Sequence, residues 1–122
     1  MSQFDQLHRF IFNNVSVRGE MVRLNDSLNH IVHSYEYPVQ IQRLLSEMAA
    51  ATCLLTAILK FKGEIGLQIQ SEGPVKYAVI NATDTQTLRG VARWDEELTS
   101  LPESFGELLS KAFLVITITP EE

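Results

Sequence analysis

Hydrophobic residues recur along the chain with two different periods. Between residue 38 and about residue 61 they follow helical spacing, and the repeat comprises Ile41, Leu44, Leu45, Met48, Leu55, Ile58 and Leu59. Pro38 suits the first position of a helix, and Gly63 can end it. From Met48 onward the pattern is apolar or small nearly all round, which is typical of a helix packed on several sides. The sequence therefore predicts one long, buried helix.

After this helix the period changes from about 3.6 to 2, which is the period of a strand. Three strands are predicted, over residues 64–70, 75–81 and 87–94. Because short turns join them, we expect an antiparallel meander. The inward face of the first strand is predicted to carry Ile65, Leu67 and Ile69. One face of the second strand is predicted to carry Val75, Tyr77 and Val79.

The rest of the chain gives shorter elements. A hairpin is predicted over residues 6–12 and 15–24, with Asn13 and Asn14 in the turn. A short helix over residues 27–34 would be capped by the side chains of residues 25–27. A second short helix is expected over 104–111 and a last strand over 113–119. The predicted fold is α+β: antiparallel sheet packed around a long buried helix, with short accessory helices on one side of the sheet.

The third meander strand has the most informative pattern. Arg89, Val91 and Arg93 share one face, which is cationic apart from the valine. The other face is apolar and carries Leu88, Gly90, Ala92 and Trp94, with a notch at the glycine. This pattern indicates a surface for contact more than a pocket for catalysis.

Composition limits the function classes. The 122 residues suffice for one domain, and the net charge of −5 argues against general nucleic-acid binding. The N-terminus does not resemble a secretory signal, and the longest apolar stretch, residues 48–59, is shorter than the roughly 20 residues that span a bilayer. We therefore expect a soluble, cytoplasmic protein that does not bind membranes.

The sequence offers no catalytic constellation, cofactor motif or metal site. Cys53 is the only cysteine, which excludes an internal disulfide, and its apolar neighbours indicate a core residue. His30 and His33 lie three residues apart but lack further ligands at convincing spacing. The glycines near residues 63–66 and 72–74 are too sparse for a phosphate loop and are interpreted as turn residues. We expect this chain not to be an enzyme.

Several segments, taken in order, resemble one known family. They are residues 10–12, 17–24, 37–38, 44–52, 59–61, 73–74, 83–84, 87–94 and 114–118. Together they are similar to the N-terminal part of the redox-switched heat-shock holdases, the thirty-three-kilodalton heat-shock proteins. The similarity covers nearly the whole chain, and the order and spacing of the segments make it specific.

The resemblance implies an ATP-independent chaperone that binds unfolding proteins under oxidative stress and dimerises when active. Its redox switch would be a C-terminal zinc centre of four cysteines, which forms disulfides when the zinc is lost. Residues 1–122 would then be a single, truncated N-terminal chaperone domain, without the linker or the zinc domain. No zinc ligand can be assigned in this chain. Unpaired sheet edges further lead us to expect a homodimer or a strand-exchanged oligomer.

The candidates for client or partner binding are the exposed-face and inner-face residues of the meander. They are Ile65, Leu67, Ile69, Tyr77, Val79, Arg89, Arg93 and Trp94. The sequence also allows ordinary roles for them, in the core or on a solvated strand face. Two other functions stay open: part of an enzyme whose catalytic residues lie in a missing portion, with Arg89 and Arg93 binding an anionic substrate, and a structural oligomerisation domain.

Overall fold

The computed structural model describes residues 5–59, 62–85 and 87–121. Its elements follow one another as β1 (Gln6–Ile11), β2 (Arg18–Arg23), α1 (Asp26–Val32), α2 (Val39–Leu59), β3 (Gly63–Gln70), β4 (Val75–Thr83), β5 (Leu88–Trp94), α3 (Phe105–Leu108) and β6 (Phe113–Pro120). The predicted α+β class is confirmed. All predicted elements are present, with ends shifted by a few residues. The expected continuation of α2 to residues 60 and 61 lies outside the described residues.

Four strands form the main sheet, in the order β5-β4-β3-β6 and antiparallel throughout. Helix α2 packs across β3, β4 and β5 on one face, which we call the inner face, and α1 packs beside it on β5. Ile41, Leu45 and Cys53 of α2 are fully buried together with Ile65 and Ile80 of the sheet. The helix is therefore the centre of the core, as its all-round apolar pattern predicts.

In β3 and β5 the side chains lie on the two faces of the sheet as predicted. In β4 this prediction is correct only in part. Val75 is buried on the inner face, whereas Tyr77 and Val79 lie on the opposite, outer face. The prediction that these three residues share a face is wrong because the pairing of β4 with β5 shifts register between Val75 and Tyr77. Such a bulge adds one residue and so reverses the alternation across it.

The notch at Gly90 is filled. A Cβ atom at this position would lie 2.5 Å from Ile80 Cδ1 and 3.0 Å from Ile31 Cγ2. Glycine is needed here because α1 and β4 both press against the backbone of β5. The notch therefore belongs to the contact between α1 and the sheet.

The start of α1 is capped from a distance. The predicted capping side chains at residues 25–27 do not perform this role, and Asn25 makes no side-chain capping bond. Instead, Asp5 Oδ1 accepts hydrogen bonds from the amides of Asn25 (2.5 Å) and Asp26 (3.0 Å). Its Oδ2 accepts from the Ser27 amide (3.1 Å) and from Ser27 Oγ (2.5 Å). One carboxylate thus ties the beginning of the hairpin to α1.

Strands β1 and β2 form a separate two-stranded sheet that packs on α2 through β2. The predicted hairpin is present, but its loop runs over residues 12–17 and is closed by the Phe12 amide donating to the Val17 carbonyl oxygen. Arg9 Nε donates to Glu20 Oε1 at 2.9 Å, and Arg9 Nη2 donates to the Ala57 carbonyl oxygen at 3.2 Å. The first contact joins the two strands, and the second fastens the hairpin to the C-terminal half of α2.

Helix α2 meets the criteria of length and composition for a membrane-crossing helix. A core helix of a soluble protein meets the same criteria, and nine residues of α2 are buried within the fold. Packing inside the domain therefore accounts for the apolar residues on the buried face of the helix, while Val39, Ile58 and Leu59 at its two ends are exposed.

Candidate functional site

Strand β6 is the exposed edge of the main sheet. All eight of its residues are exposed, although five of them are large and apolar. It pairs with β3 on one side, and within the described part of the chain its other edge has no neighbouring strand. It also contains no charged residue, whereas charges are the usual protection of an edge strand. This edge is therefore suited to pair with another polypeptide.

Leu114, Ile116 and Ile118 form what we call the β6 strip. Their register partners on β3 are Ile69, Leu67 and Ile65, so the strip continues the inner face of the sheet. Ile65 is fully buried and Leu67 nearly so, but the strip is 60%, 47% and 49% exposed in the order given. Helix α2 thus covers the inner face of β3 and leaves the same face of β6 open.

The end of α2 carries further exposed apolar side chains. Ile58 and Leu59 are exposed, and β3 begins at Gly63, directly opposite Pro120 of β6. The Glu121 amide also donates to the Lys62 carbonyl oxygen at 2.9 Å. The exposed end of the helix and the end of β6 therefore lie at the same end of the sheet.

The outer face of the sheet is mixed in character. One row across it reads Val91, Val79, Gln68 and Val115, and the next reads Arg93, Tyr77, Gln70 and Phe113. Arg89 reaches across β4 to Glu64, with Nη2 and Oε1 2.9 Å apart. Because polar and charged groups interrupt the apolar ones, this face is less suited than the β6 strip to hold unfolded chains by apolar contact.

The structure divides the residues predicted for client binding between the two faces. Tyr77, Val79, Arg89 and Arg93 share the outer face. Ile65, Leu67 and Ile69 lie on the inner face, where the first two are covered by the core and the third is half-buried. Trp94 is on the inner side, in contact with the rings of Tyr35 and Tyr37. In this conformation a client can therefore reach the outer group but not Ile65 or Leu67.

The list of candidates misses the large exposed apolar residues. Besides the β6 strip, these include the hairpin residues Phe10, Ile11, Phe12, Val15, Val17 and Met21. The runs at residues 10–12 and 113–116 are apolar at every position, which usually indicates a strand covered on both sides, whereas Val15 and Val17 alternate with polar residues. The sequence alone does not show that the covering layers are missing from these strands.

The two arginines of β5 do not form a ready anion site. Arg89 is already paired with Glu64. Arg93 Nη1 donates to the Ala92 carbonyl oxygen at 3.4 Å. Val91 separates the two residues along the strand. The structure thus brings them to one face without converging their guanidinium groups on a shared cavity.

Cys53 is a core residue, as predicted. It is fully buried in α2, and burial together with the negative charge of Asp5 raises the pKa of its thiol to about 11. Such a thiol is protonated and poorly nucleophilic at neutral pH. Among residues 5–59, 62–85 and 87–121, no three His, Cys, Asp or Glu side chains converge as metal ligands. The described side chains therefore do not fit a zinc centre.

Comparison with known proteins gives the family. Residues 5–122 match the model of the family described as Hsp33 protein. The chain is 63% identical over 119 residues to the 33 kDa chaperonin of Pseudoalteromonas atlantica, covering 98% of this chain and 40% of that protein. It is 51% identical over 118 residues to the 33 kDa chaperonin of Shewanella sp. (strain MR-4), covering 97% and 41%. The chain spans about two fifths of the length of these relatives and belongs to the Hsp33 family.

Proposed function

We propose that this chain is the N-terminal part of an ATP-independent, redox-regulated holdase that binds unfolding proteins and limits their aggregation under oxidative stress. The proposal is supported by membership of the Hsp33 family and by the relatives, which are named 33 kDa chaperonin. The observation that carries it is the match of residues 5–122 to the Hsp33 family, and within the described residues the uncovered β6 strip beside an unpaired strand edge offers a surface for clients. Unfolded segments offer apolar side chains and free backbone groups, and such an edge can bind both.

The apolar contacts of the β6 strip alone would bind a client weakly. Complete burial of an isoleucine or leucine side chain is worth about 1.5–3 kcal/mol, so covering a half-exposed one contributes about 1 kcal/mol. The three residues of the β6 strip would together contribute about 3 kcal/mol before the cost of ordering the client. This is less than the roughly 4.1 kcal/mol of a millimolar complex, so the β6 strip holds a client only together with further contacts, such as backbone pairing along the β6 edge.

The test compares two faces of one strand. Ile116 and Val115 are both 47% exposed, but they point to the inner and the outer face of β6. Suppression of the thermal aggregation of citrate synthase, followed by light scattering, should be lost with Ile116→Glu and largely kept with Val115→Glu. If only Val115→Glu abolished suppression, clients would bind the outer face with Tyr77, Val79, Arg89 and Arg93. Full activity of both variants would refute binding of clients by β6.

The redox part of the proposal rests on the family resemblance. The resemblance implies a C-terminal zinc centre as the switch, and no residue of this chain is assigned to it. The test uses the full-length parent protein in its reduced form and in its oxidised, zinc-free form. We expect suppression of aggregation by the oxidised form only, and no suppression after zinc release would remove this part of the proposal.

We also propose self-association, as a homodimer or a strand-exchanged oligomer. The free edges of β6 and β5 at the two sides of the described sheet support it. Gel filtration with light scattering should give a mass above that of one chain, and a monomer at high concentration would contradict the proposal. We further propose a cytoplasmic protein without enzymatic activity of its own, with unfolded proteins rather than nucleic acid or membranes as partners.

A further inference from the structure

A pocket of about 580 Å³ lies at the connection between the end of α1 and the start of α2. The segment between the helices forms most of it, and Gln42 and Glu96 complete the lining. Its volume is within the range of pockets that bind small ligands or side chains. It lies toward the β5 edge of the sheet, opposite the edge at which the β6 strip is exposed.

Aromatic rings give this pocket a firm wall. Tyr37 is buried, and its hydroxyl oxygen accepts a hydrogen bond from the Ala92 amide at 3.4 Å. The Trp94 ring lies 5.6 Å from the Tyr37 ring and 5.9 Å from the Tyr35 ring, between centroids. Tyr35 is half-exposed, so its ring is accessible from the pocket. Electron-rich ring faces of this kind attract cations.

Four side chains of the lining have donors that are engaged within the domain, and His33 is one of them, with its Nδ1 3.0 Å from the Asn29 carbonyl oxygen. Tyr35 Oη donates to Glu96 Oε1 (3.3 Å), Ser34 Oγ donates to the Ile31 carbonyl oxygen (2.7 Å), and Gln42 Nε2 donates to the Tyr37 carbonyl oxygen (2.9 Å). The Gln42 amide oxygen and one carboxylate oxygen of Glu96 remain available as acceptors. Glu36, also in the lining, makes no ion pair with a described residue.

We propose that this pocket binds an arginine side chain of a partner polypeptide. A guanidinium group has five donors and no acceptor, which complements a pocket whose free groups are acceptors. It stacks on aromatic rings and pairs with carboxylates, and the lining provides both: it has two acidic residues, and its basic side chain is a histidine, His33, rather than a lysine or arginine. The proposal does not depend on the β6 strip, and it stands or falls separately from the holdase function.

The test uses the chain itself and the peptide acetyl-Gly-Arg-Gly-amide. Trp94 is the only tryptophan of the chain, so its fluorescence reports on the aromatic wall, and backbone amide shifts of residues 33–37 and 96 locate the binding. The matched control peptide carries citrulline, which has the shape of arginine without the charge. We expect saturable binding of the arginine peptide, weakened about tenfold or more with citrulline, since about 1.4 kcal/mol corresponds to tenfold.

Variants separate the pocket from general electrostatics. Glu96→Gln should weaken binding roughly threefold, as expected for the loss of one exposed charge contact. Glu47→Gln removes an equal charge from an exposed position of α2 outside the pocket lining and should leave the affinity unchanged. Equal weakening by both variants, equal binding of the citrulline peptide, or shifts elsewhere than the pocket would each overturn the proposal. Circular dichroism of both variants checks that the fold is kept.

Discussion

Replacing Asp5 by alanine should destabilise the whole domain, although Asp5 lies outside every helix and strand. Its carboxylate accepts four hydrogen bonds at the start of α1, three from backbone amides and one from Ser27 Oγ. Without it, α1 loses its cap, and the hairpin loses its tie to the helix. Because α1 contributes Ile31 and Val32 to the core, the effect should extend beyond the helix end.

The magnitude follows from the contacts. Loss of a helix cap costs about 0.5–2 kcal/mol, and a hydrogen bond to a charged group is worth about 1.5–3 kcal/mol. The four bonds do not add in full, because Asn25 and Asp26 are exposed and water can solvate their amides in the variant. We expect a loss of about 2–3 kcal/mol for Asp5→Ala, which lowers the Tm of a domain this size by about 10 °C.

The assay is thermal and urea unfolding followed by circular dichroism, with Asp26→Ala as the matched control. Asp26 also lies in the first turn, but its side chain is exposed and accepts one bond, from Asn25 Nδ2. That variant should change stability by less than about 0.5 kcal/mol. Similar losses in the two variants would refute the assignment of the cap to Asp5.

The pH dependence gives a second readout. Burial by itself raises the pKa of Asp5, but the hydrogen bonds from Ser27 Oγ and the three amides outweigh it and hold the pKa below the ordinary 3.8. A lowered pKa in the folded state means that the stabilisation is present above pH 3.8 and is lost as the pH falls through the folded pKa. Asp5→Asn should therefore be less stable at neutral pH and should lose less stability on acidification. An unchanged acid dependence would contradict the argument.

Two further predictions concern the core. Gly90→Val should destabilise the domain by about 1–3 kcal/mol in urea unfolding, because its side chain would collide with Ile80 and Ile31, and wild-type stability would contradict the filled notch. The thiol of Cys53, with a pKa of about 11, should react with a disulfide reagent only after unfolding, so fast reaction of the native chain would contradict its burial. Because the pKa of this thiol is raised from 9.0, the stabilisation is present below pH 9.0 and is lost as the pH rises toward 11. Over this range the free energy of unfolding of the wild type should fall by about 2–3 kcal/mol more than that of Cys53→Ala.

Local periodicity was sufficient to predict most of the fold. Helix α2 and the meander have clear periods of about 3.6 and 2, and their packing follows from which face is apolar. The cap of α1 was not predictable in this way, because Asp5 and Ser27 lie 22 positions apart in the chain. The bulge at Val75–Tyr77 was also not predictable, since one added residue changes the facing of a strand without changing its composition.

The candidate surface was harder to predict than the fold for a related reason. Ile65 and Ile118 face the same way at the same level of the sheet, and neither has an apolar side chain next to it in its strand. One is fully buried and the other is 49% exposed. The difference depends on the position of α2, and a sequence pattern defines the apolar face of a strand without defining what covers it. The candidates predicted from the sequence therefore included the buried Ile65 and Leu67. Their exposed register partners on β6, Ile118 and Ile116, were not predicted.

Geometry explains why the exposure falls on β6. Strands are spaced about 4.8 Å apart, so four strands extend about 14 Å between the outer axes, whereas a helix with its side chains is about 10 Å wide. One helix lying along such a sheet covers about three strands, and α1 reinforces the cover on the β5 side only. The fourth strand, β6, keeps its apolar inner face open, and whatever covers it must supply roughly one further layer of apolar side chains. Because the aromatic pocket lies toward the opposite edge, substitutions in the β6 strip and in the pocket should act independently. Their effects on the free energy of unfolding should add within about 0.5 kcal/mol.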